Sequence, residues 1–421
     1  MPSAKCLWTL SLIAAARMSA ATITWDGGGD GTSWNDPANW AGDVLPAAAD
    51  DVVIPDPAGN RSVAGAPGNI TIRSLQCDSA LTLETGHLTL TGGASVVRGA
   101  LHIAPTRTLT ATGATTTFTA SGATDINSAL IVAQDGATIT LPGPTTVVDD
   151  SGCCGAVWKA QGPGSVLALP NLAGMHGNPN RNWPMSVQAL DGGEVRLPQL
   201  AAVASGYLRI VVNGADSRID LGAVTDLSVM TCEIGSGATV VLDALTKIDG
   251  SSFTVSGGGT LELPAVTHYA DTGGCCGALW QAQGAGSVLD VPNLVELTGN
   301  PTWAMQIQAQ NGGAVHLPLL ASVPDSHLRC YADGTDSLVD LPSLQELGDS
   351  RSRWLTLEAR NAGVVRTPLL TDGGRVAIVL RAGGAITLDQ FTNFDRGAFD
   401  VGAGYDLIFP PCSALMERTW Q

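Results

Sequence analysis

The sequence predicts an all-β chain, a right-handed parallel β-helix (β-solenoid) with rungs of about 24 residues behind an N-terminal Trp-rich cap. Three observations predict it. The 421 residues include 51 glycines, only 5% aromatic and 14% charged residues, the composition of frequent turns between short β-prone runs. A unit of the form hydrophobic-x-Leu-Pro recurs through Leu169, Leu197, Leu221, Leu242, Leu263, Val291, Leu317, Leu341, a weaker copy at Thr367, and Leu388. Those nine steps cover 219 residues, which sets the period at about 24. A longer unit also repeats: Gly152–Gly162 is matched by Gly274–Gly284, 122 residues on, and Gly177-Asn178-Pro179 by Gly299-Asn300-Pro301.

In chain order, residues 1–21 read as a signal peptide. Lys5 supplies the positive start, Leu7 to Ala16 the apolar stretch and Ser19-Ala20-Ala21 the small-residue cleavage site. A run of that length is too short to span a bilayer. The expected localisation is therefore secreted, extracellular or cell-surface, with no transmembrane segment. Residues 22–60, holding Trp25, Trp34 and Trp40 among Gly, Asp and Asn, read as the cap. Residues 61–149 carry the first rungs, starting near Ile70 and Leu81. Residues 150–270 and 271–405 are the two copies of the longer unit, and 406–421 breaks the repeat as a C-terminal tail or a truncated end.

Within a rung the apolar residues alternate, as in Val195 and Leu197 or Leu261 and Leu263, which places one face inward and one outward. The proline after the inward Leu has no N–H and is expected to end the strand at a corner. Second strands such as Leu208–Val212 and Phe253–Val255 run into Asn213-Gly214 or Gly257-Gly258-Gly259, residues suited to the positive φ of a tight turn. An antiparallel meander would repeat every eight to twelve residues or so, and a leucine-rich repeat would show an Asn ladder and a helical segment. Neither pattern is present.

The formal charge is −17, and −19 once Lys5 and Arg17 leave with the leader. Such a chain repels nucleic acid and anionic lipid. An extracellular glycan or a cell-surface component is the expected partner, and the chain is expected to be a monomer. No resident cofactor is expected. The one candidate metal is calcium at Asp26, Asp30 and Asp36, in a Gly-rich segment that reads more readily as an ordinary turn capped by Asp side chains.

Eight cysteines follow the leader, an even number that permits full pairing in an oxidising compartment. Cys153, Cys154, Cys275 and Cys276 are the structural disulfide candidates. Five rungs of about 4.8 Å separate the two pairs by roughly 24 Å, beyond the reach of a disulfide. Each pair must close as a vicinal disulfide, bond a cysteine in a nearby rung, or stay reduced. A vicinal ring is the favoured outcome, as a structural staple; the lesser, functional reading makes that ring a ligand platform beside Trp158 or Trp280.

Hydrolase and phosphate-loop signatures of the HExxH, GxSxG and GxxxxGK types are missing, and the six histidines do not cluster. The acids that would serve a lyase or glycosidase are Asp149 and Asp150, with Asp271 as a partial copy, and the outward rung residues Asp220, Glu262, Asp290 and Asp340. The rung acids share equivalent places with Ala168, Arg196, Val241 and His316, the pattern of a solvated face. The chain is therefore expected to be non-catalytic.

Two segments carry a family resemblance. Trp25-Asp26-Gly27-Gly28-Gly29, Trp34-Asn35-Asp36, Asn39-Trp40, Gly42-Asp43, Pro46 and Asp50–Ile54 resemble the start of exported bacterial β-solenoid proteins of autotransporter-passenger-like and haemagglutinin-like type. Gln281–Leu294 resembles leucine-proline repeats of large planctomycete-type surface proteins. The resemblance implies a structural or adhesive surface role and carries no catalytic residue over. The chain departs from the autotransporter pattern in lacking ten-residue alternating barrel strands near its C-terminus.

Overall fold

The computed structural model describes residues 20–56, 62–65, 68–272, 277–300, 302–324, 327–347, 355–372, 376–393 and 397–405. Residues 1–19 of the expected signal peptide, Cys275, Cys276 and residues 406–421 lie outside them. The described chain is a parallel β-solenoid of about 14 turns, with rungs of roughly 23 residues. One 3-10 turn, Pro37–Asn39, is the sole helical element among the described residues, and no helix there is long and apolar enough to cross a membrane.

Each rung contributes strands to up to three faces. The long face is a 15-stranded sheet running from Ile70–Ile72 to Ala398–Val401. The second face is a nine-stranded sheet from Thr22–Thr24 to Arg218–Asp220, followed by a separate seven-stranded sheet from Thr239–Val241 to Ala385–Ile386. The third face is built of shorter sheets, including Thr146–Val148, Gly174–His176 and Ala202–Ser205. Strands Thr22–Thr24 and Asp51–Ile54, inside the Trp-rich segment, pair in parallel with each other, and the latter with Ser74–Cys77. The stack thus begins ahead of residue 61. Phe253 pairs in parallel with Cys232 and Trp280, and Leu261 with Val240 and Leu289. The two strands of a rung therefore belong to different sheets and form no hairpin.

The Leu-Pro motif is a β-turn. The carbonyl of the Leu accepts the N–H three residues on: Leu169 from Leu172, Leu197 from Leu200, Leu317 from Leu320 and Leu341 from Leu344, at 3.0–3.3 Å. Proline sits at the second position of the turn, where its fixed φ is already right, and both leucines are buried. The residue after Pro can tie rungs together: Asn171 and Asn293 donate Nδ2 to the carbonyls of Pro142 and Pro264, at 2.8 and 2.7 Å.

The opposite corner uses a buried hydroxyl. Ser165, Ser217, Ser287 and Ser337 each donate Oγ to the carbonyl four residues back, at 2.6–2.7 Å. Each also accepts the N–H of a glycine in the preceding rung, at 2.9–3.0 Å. A hydroxyl is both donor and acceptor, so one atom satisfies two backbone groups that burial would otherwise penalise.

Inside the N-terminal end, Trp25, Trp34 and Trp40 are buried and meet edge to face, with ring centroids 4.8–4.9 Å apart. Trp40 Nε1 donates to the Trp34 carbonyl at 2.8 Å.

One departure from the expected stack is informative. The inward residues form two runs, Leu169-Leu197-Leu221 and Leu242-Leu263-Val291-Leu317-Leu341, because Arg218–Asp220 and Thr239–Val241 fall in different sheets. The gap between the runs is a cleft of about 200 Å³ lined by Ile219, Leu221, Val224, Leu227, Leu242 and Leu245 among others.

Candidate functional site

The strand Thr146–Val148 leads into a turn that the sequence marked by Asp149, Asp150, Cys153 and Cys154. Asp149 is buried, and its carboxylate closes the turn on itself. Oδ2 accepts Ala156 N–H at 2.7 Å, and Oδ1 accepts Ser151 Oγ at 2.8 Å and Ser151 N–H at 3.3 Å. Buried Asn178 donates Nδ2 to Ser151 Oγ at 3.0 Å and accepts Asn180 N–H at 2.8 Å. Asn180 donates to the Gly152 carbonyl at 3.2 Å and accepts Asn182 N–H at 3.0 Å. This chain of amides carries the 177–184 loop outward, where Trp183 stands 50% exposed.

The second copy repeats the arrangement. Buried Asp271 accepts Ala278 N–H at 2.8 Å through Oδ2. Buried Asn300 accepts the N–H groups of Thr302 and Trp303 at 2.9 and 3.0 Å. Trp303 is again 50% exposed. Five rungs separate Trp183 from Trp303, roughly 24 Å at the parallel-strand spacing. They are the two most exposed of the large apolar side chains among the described residues, and they recur at equivalent places in the two copies.

Sequence reasoning missed both rings, although their 120-residue spacing was there to read. The tryptophans it named, Trp158 and Trp280 as neighbours of a vicinal ring, are fully buried. They lie in the inward row of the long face, where Trp280 packs edge to face on Phe253 and Tyr269. Strand alternation points them into the core, so neither indole offers an open face beside such a ring.

Beside the Trp183 loop lies a groove of about 490 Å³. Asp149, Asp150, His176, Ser205, Tyr207 and Pro179 contribute to its wall. Asp150 accepts Ser128 Oγ at 3.0 Å, and His176 Nδ1 lies 3.0 Å from Ser205 Oγ. The 122-residue equivalents of Asp150 and His176 are Thr272 and Thr298. What the copies share is the turn-closing Asp, and what they do not share is the titratable groove.

The remaining candidates fall elsewhere. On the second face Glu262, Asp290, His316, Asp340 and Arg366 form one outward column, one residue per rung. Arg366 holds Asp340 through two hydrogen bonds, at 2.7 and 3.0 Å. Burial raises the Asp290 pKa, with Glu262 adding to the shift and His316 opposing it. Asp220 spends its carboxylate on Gly222 N–H at 2.9 Å. A column one rung apart spreads the acids along the axis instead of converging them on one point.

Asp26, Asp30 and Asp36 act as turn acceptors. Asp30 Oδ1 takes the N–H groups of Thr32 and Ser33 and Asn39 Nδ2, at 2.7–2.9 Å, and this set of donors, Ser33 first, holds its carboxyl well below the ordinary range. Asp36 accepts from Asp30 and Ala38, and Asp26 from Gly28. Among the described residues no three His, Cys, Asp or Glu side chains gather as a metal site.

Cys153 and Cys154 are exposed free thiols, with Sγ atoms 3.0 Å apart. Cys77, Cys232 and Cys330 are buried, and burial pushes each thiol up to about 12.

No family model matches the chain, and neither a curated protein nor a solved structure matches it.

Proposed function

We propose that this chain is a secreted or cell-surface, non-catalytic β-solenoid that acts as a structural and adhesive rod, holding glycan through a repeated Trp-bearing edge. One observation carries the reading: Trp183 and Trp303 recur half-exposed at equivalent places, each on a loop braced by a buried Asn and by a turn that a buried Asp closes. An indole face offers apolar area to the C–H face of a sugar ring, and Asn180 and Asn182 beside Trp183 offer polar partners for hydroxyls. Two such rings on one rigid body favour an extended polymer, because the second contact forms at high effective concentration. The acidic net charge of −17 points the same way, toward a neutral or cationic polysaccharide. The autotransporter-passenger-like and planctomycete-type resemblances agree with a surface role.

The test is a glycan array probed with the purified chain. Trp183→Ala and Trp303→Ala should each weaken retention by about tenfold, equivalent to about 1.4 kcal/mol, and the double variant should abolish it. Binding indifferent to both rings would refute the reading.

An extracellular polysaccharide lyase or glycoside hydrolase is the second reading, favoured by the groove that gathers Asp150, His176, Ser205 and Tyr207. Depolymerisation of a glycan that is lost in Asp150→Ala would establish it in place of the first.

A further inference from the structure

We propose that Cys153 and Cys154 form a two-electron redox switch that resets the Trp183 loop. The proposal deepens the glycan-binding reading, on which its consequence for ligand capture rests. The geometry sets this pair apart from the other described thiols. Both sulfurs are exposed and in contact, with Cys154 Sγ donating to Cys153 Sγ at 3.0 Å. The turn is already folded back on itself: Gly152 and Cys154 sit at φ 68° and 66°, a region that a Cys side chain rarely adopts.

The turn is also fastened at both ends to the loop it would control. Asn180 Nδ2 holds the Gly152 carbonyl at 3.2 Å. At the other end a Cβ on Gly155 would lie 2.3 Å from the Pro184 oxygen and 2.6 Å from that of Trp183, so the two backbones touch and only glycine fits. Asp149 clamps the base of the turn through Ser151 and Ala156. A change between residues 152 and 155 is therefore transmitted to the 180–184 segment through these two contacts.

The chemistry needs an external oxidant, which a small-molecule disulfide RSSR supplies. Either sulfur can lead, and Cys153 is taken as the attacking group. As thiolate it attacks one sulfur of RSSR, whose S–S bond breaks, and the departing thiolate takes up a proton as RSH. Cys154 then gives up its proton and attacks the Cys153 sulfur of the mixed disulfide, expelling the second RSH. Two thiols lose two protons and two electrons, RSSR becomes two RSH, and the product is a small ring that contains the 153–154 peptide bond. Forming that bond draws the sulfurs inward from 3.0 Å to about 2 Å, and the backbone between the two clamps must turn with them.

The experiment uses the full chain carrying Cys275→Ser and Cys276→Ser, with oxidised glutathione as the probe and no glycan present. Peptide mass mapping should show a reversible loss of two hydrogens within one peptide of a monomeric chain. Amide exchange in residues 177–184 should change several-fold on oxidation, and Cys154→Ser should remove that change. A persistent glutathione adduct, a disulfide-linked dimer, or a closed ring with unaltered exchange in 177–184 would each overturn the switch. Because no glycan enters these readouts, failure of the switch and failure of the binding reading are seen separately.

Discussion

At the scale of single residues, the fold treats an outward acid according to what the next rung sets beside it. Asp340 has Arg366 above it and is held by two hydrogen bonds. Asp290 has Glu262 on one side and His316 on the other, and its Oδ1 is buried without a hydrogen-bond partner. Burial raises its pKa, and the neighbouring Glu262 charge pushes the same way. A carboxylate whose folded pKa lies above its ordinary value of 3.8 is destabilising where it is charged. The penalty is complete above the raised pKa and fades as the pH falls toward 3.8, because the folded state then takes up its proton first. Asp290→Asn should therefore raise the melting temperature at pH 7, and the gain should shrink as the pH is lowered through the carboxylate range. A gain that stays constant down to pH 3.5 or so would mean that desolvation of the charge is not its source.

At the scale of the element, the corners decide how closely rungs approach. A Cβ at Gly193 would fall 2.3 Å from the Ala160 oxygen, and at Gly313 2.3 Å from that of Ala282, so these turns press directly on the long-face strand beneath. At Gly174 a Cβ would meet only Thr146 side-chain atoms, at 3.5 Å. Gly193→Ala should cost about 1–3 kcal/mol in stability, as overpacking does, whereas Gly174→Ala should be close to neutral, and chemical denaturation of the two variants separates them. Much of this level was legible in the sequence. Leu-Pro spacing fixes a turn with buried leucines at both ends, since proline allows little else there. Alternation assigned Leu197, Leu263 and Leu317 inward, as found. The exposed Trp-bearing edge was not legible in the same way. Trp158 and Trp183 are the same residue type, and only the alternation of Val157–Gln161 against the Asn-rich loop tells which one the fold exposes. Asp149 read as a candidate acid because its partners, Ser151 and Ala156, become partners only when the turn closes.

At the scale of the whole molecule, a solenoid is a stack in which each rung is stabilised mainly by its neighbours, so the weakest interface sets where cooperativity breaks. That interface lies between the rungs of Arg218–Asp220 and Thr239–Val241. There the second face passes from one sheet to the next, with the apolar cleft between them. The third face carries no strand ladder over the same stretch: the bridge of Asp226 to Lys247 is flanked by backbone bonds from Thr246 and Lys247 to the Thr225 carbonyl, from Leu227 to that of Lys247 and from Val229 to that of Asp249. Only the long face runs through without a break, from Leu208–Asn213 through Met230–Gly235 to Ser252–Ser256. The second copy supplies the internal control, because Leu338–Asp340 and Val364–Arg366, the equivalent strands, are paired. Each missing ladder bond forgoes about 0.5–1.5 kcal/mol, and a few of them amount to a substantial share of what holds two rungs together. Unfolding should accordingly proceed in two stages, with the halves on either side of residues 220–239 separating. Amides of Thr239–Val241 should exchange at least tenfold faster than those of Val364–Arg366. A single cooperative transition with equal protection at both places would show that the long face alone couples the rod, and that the gap in the second face costs it nothing.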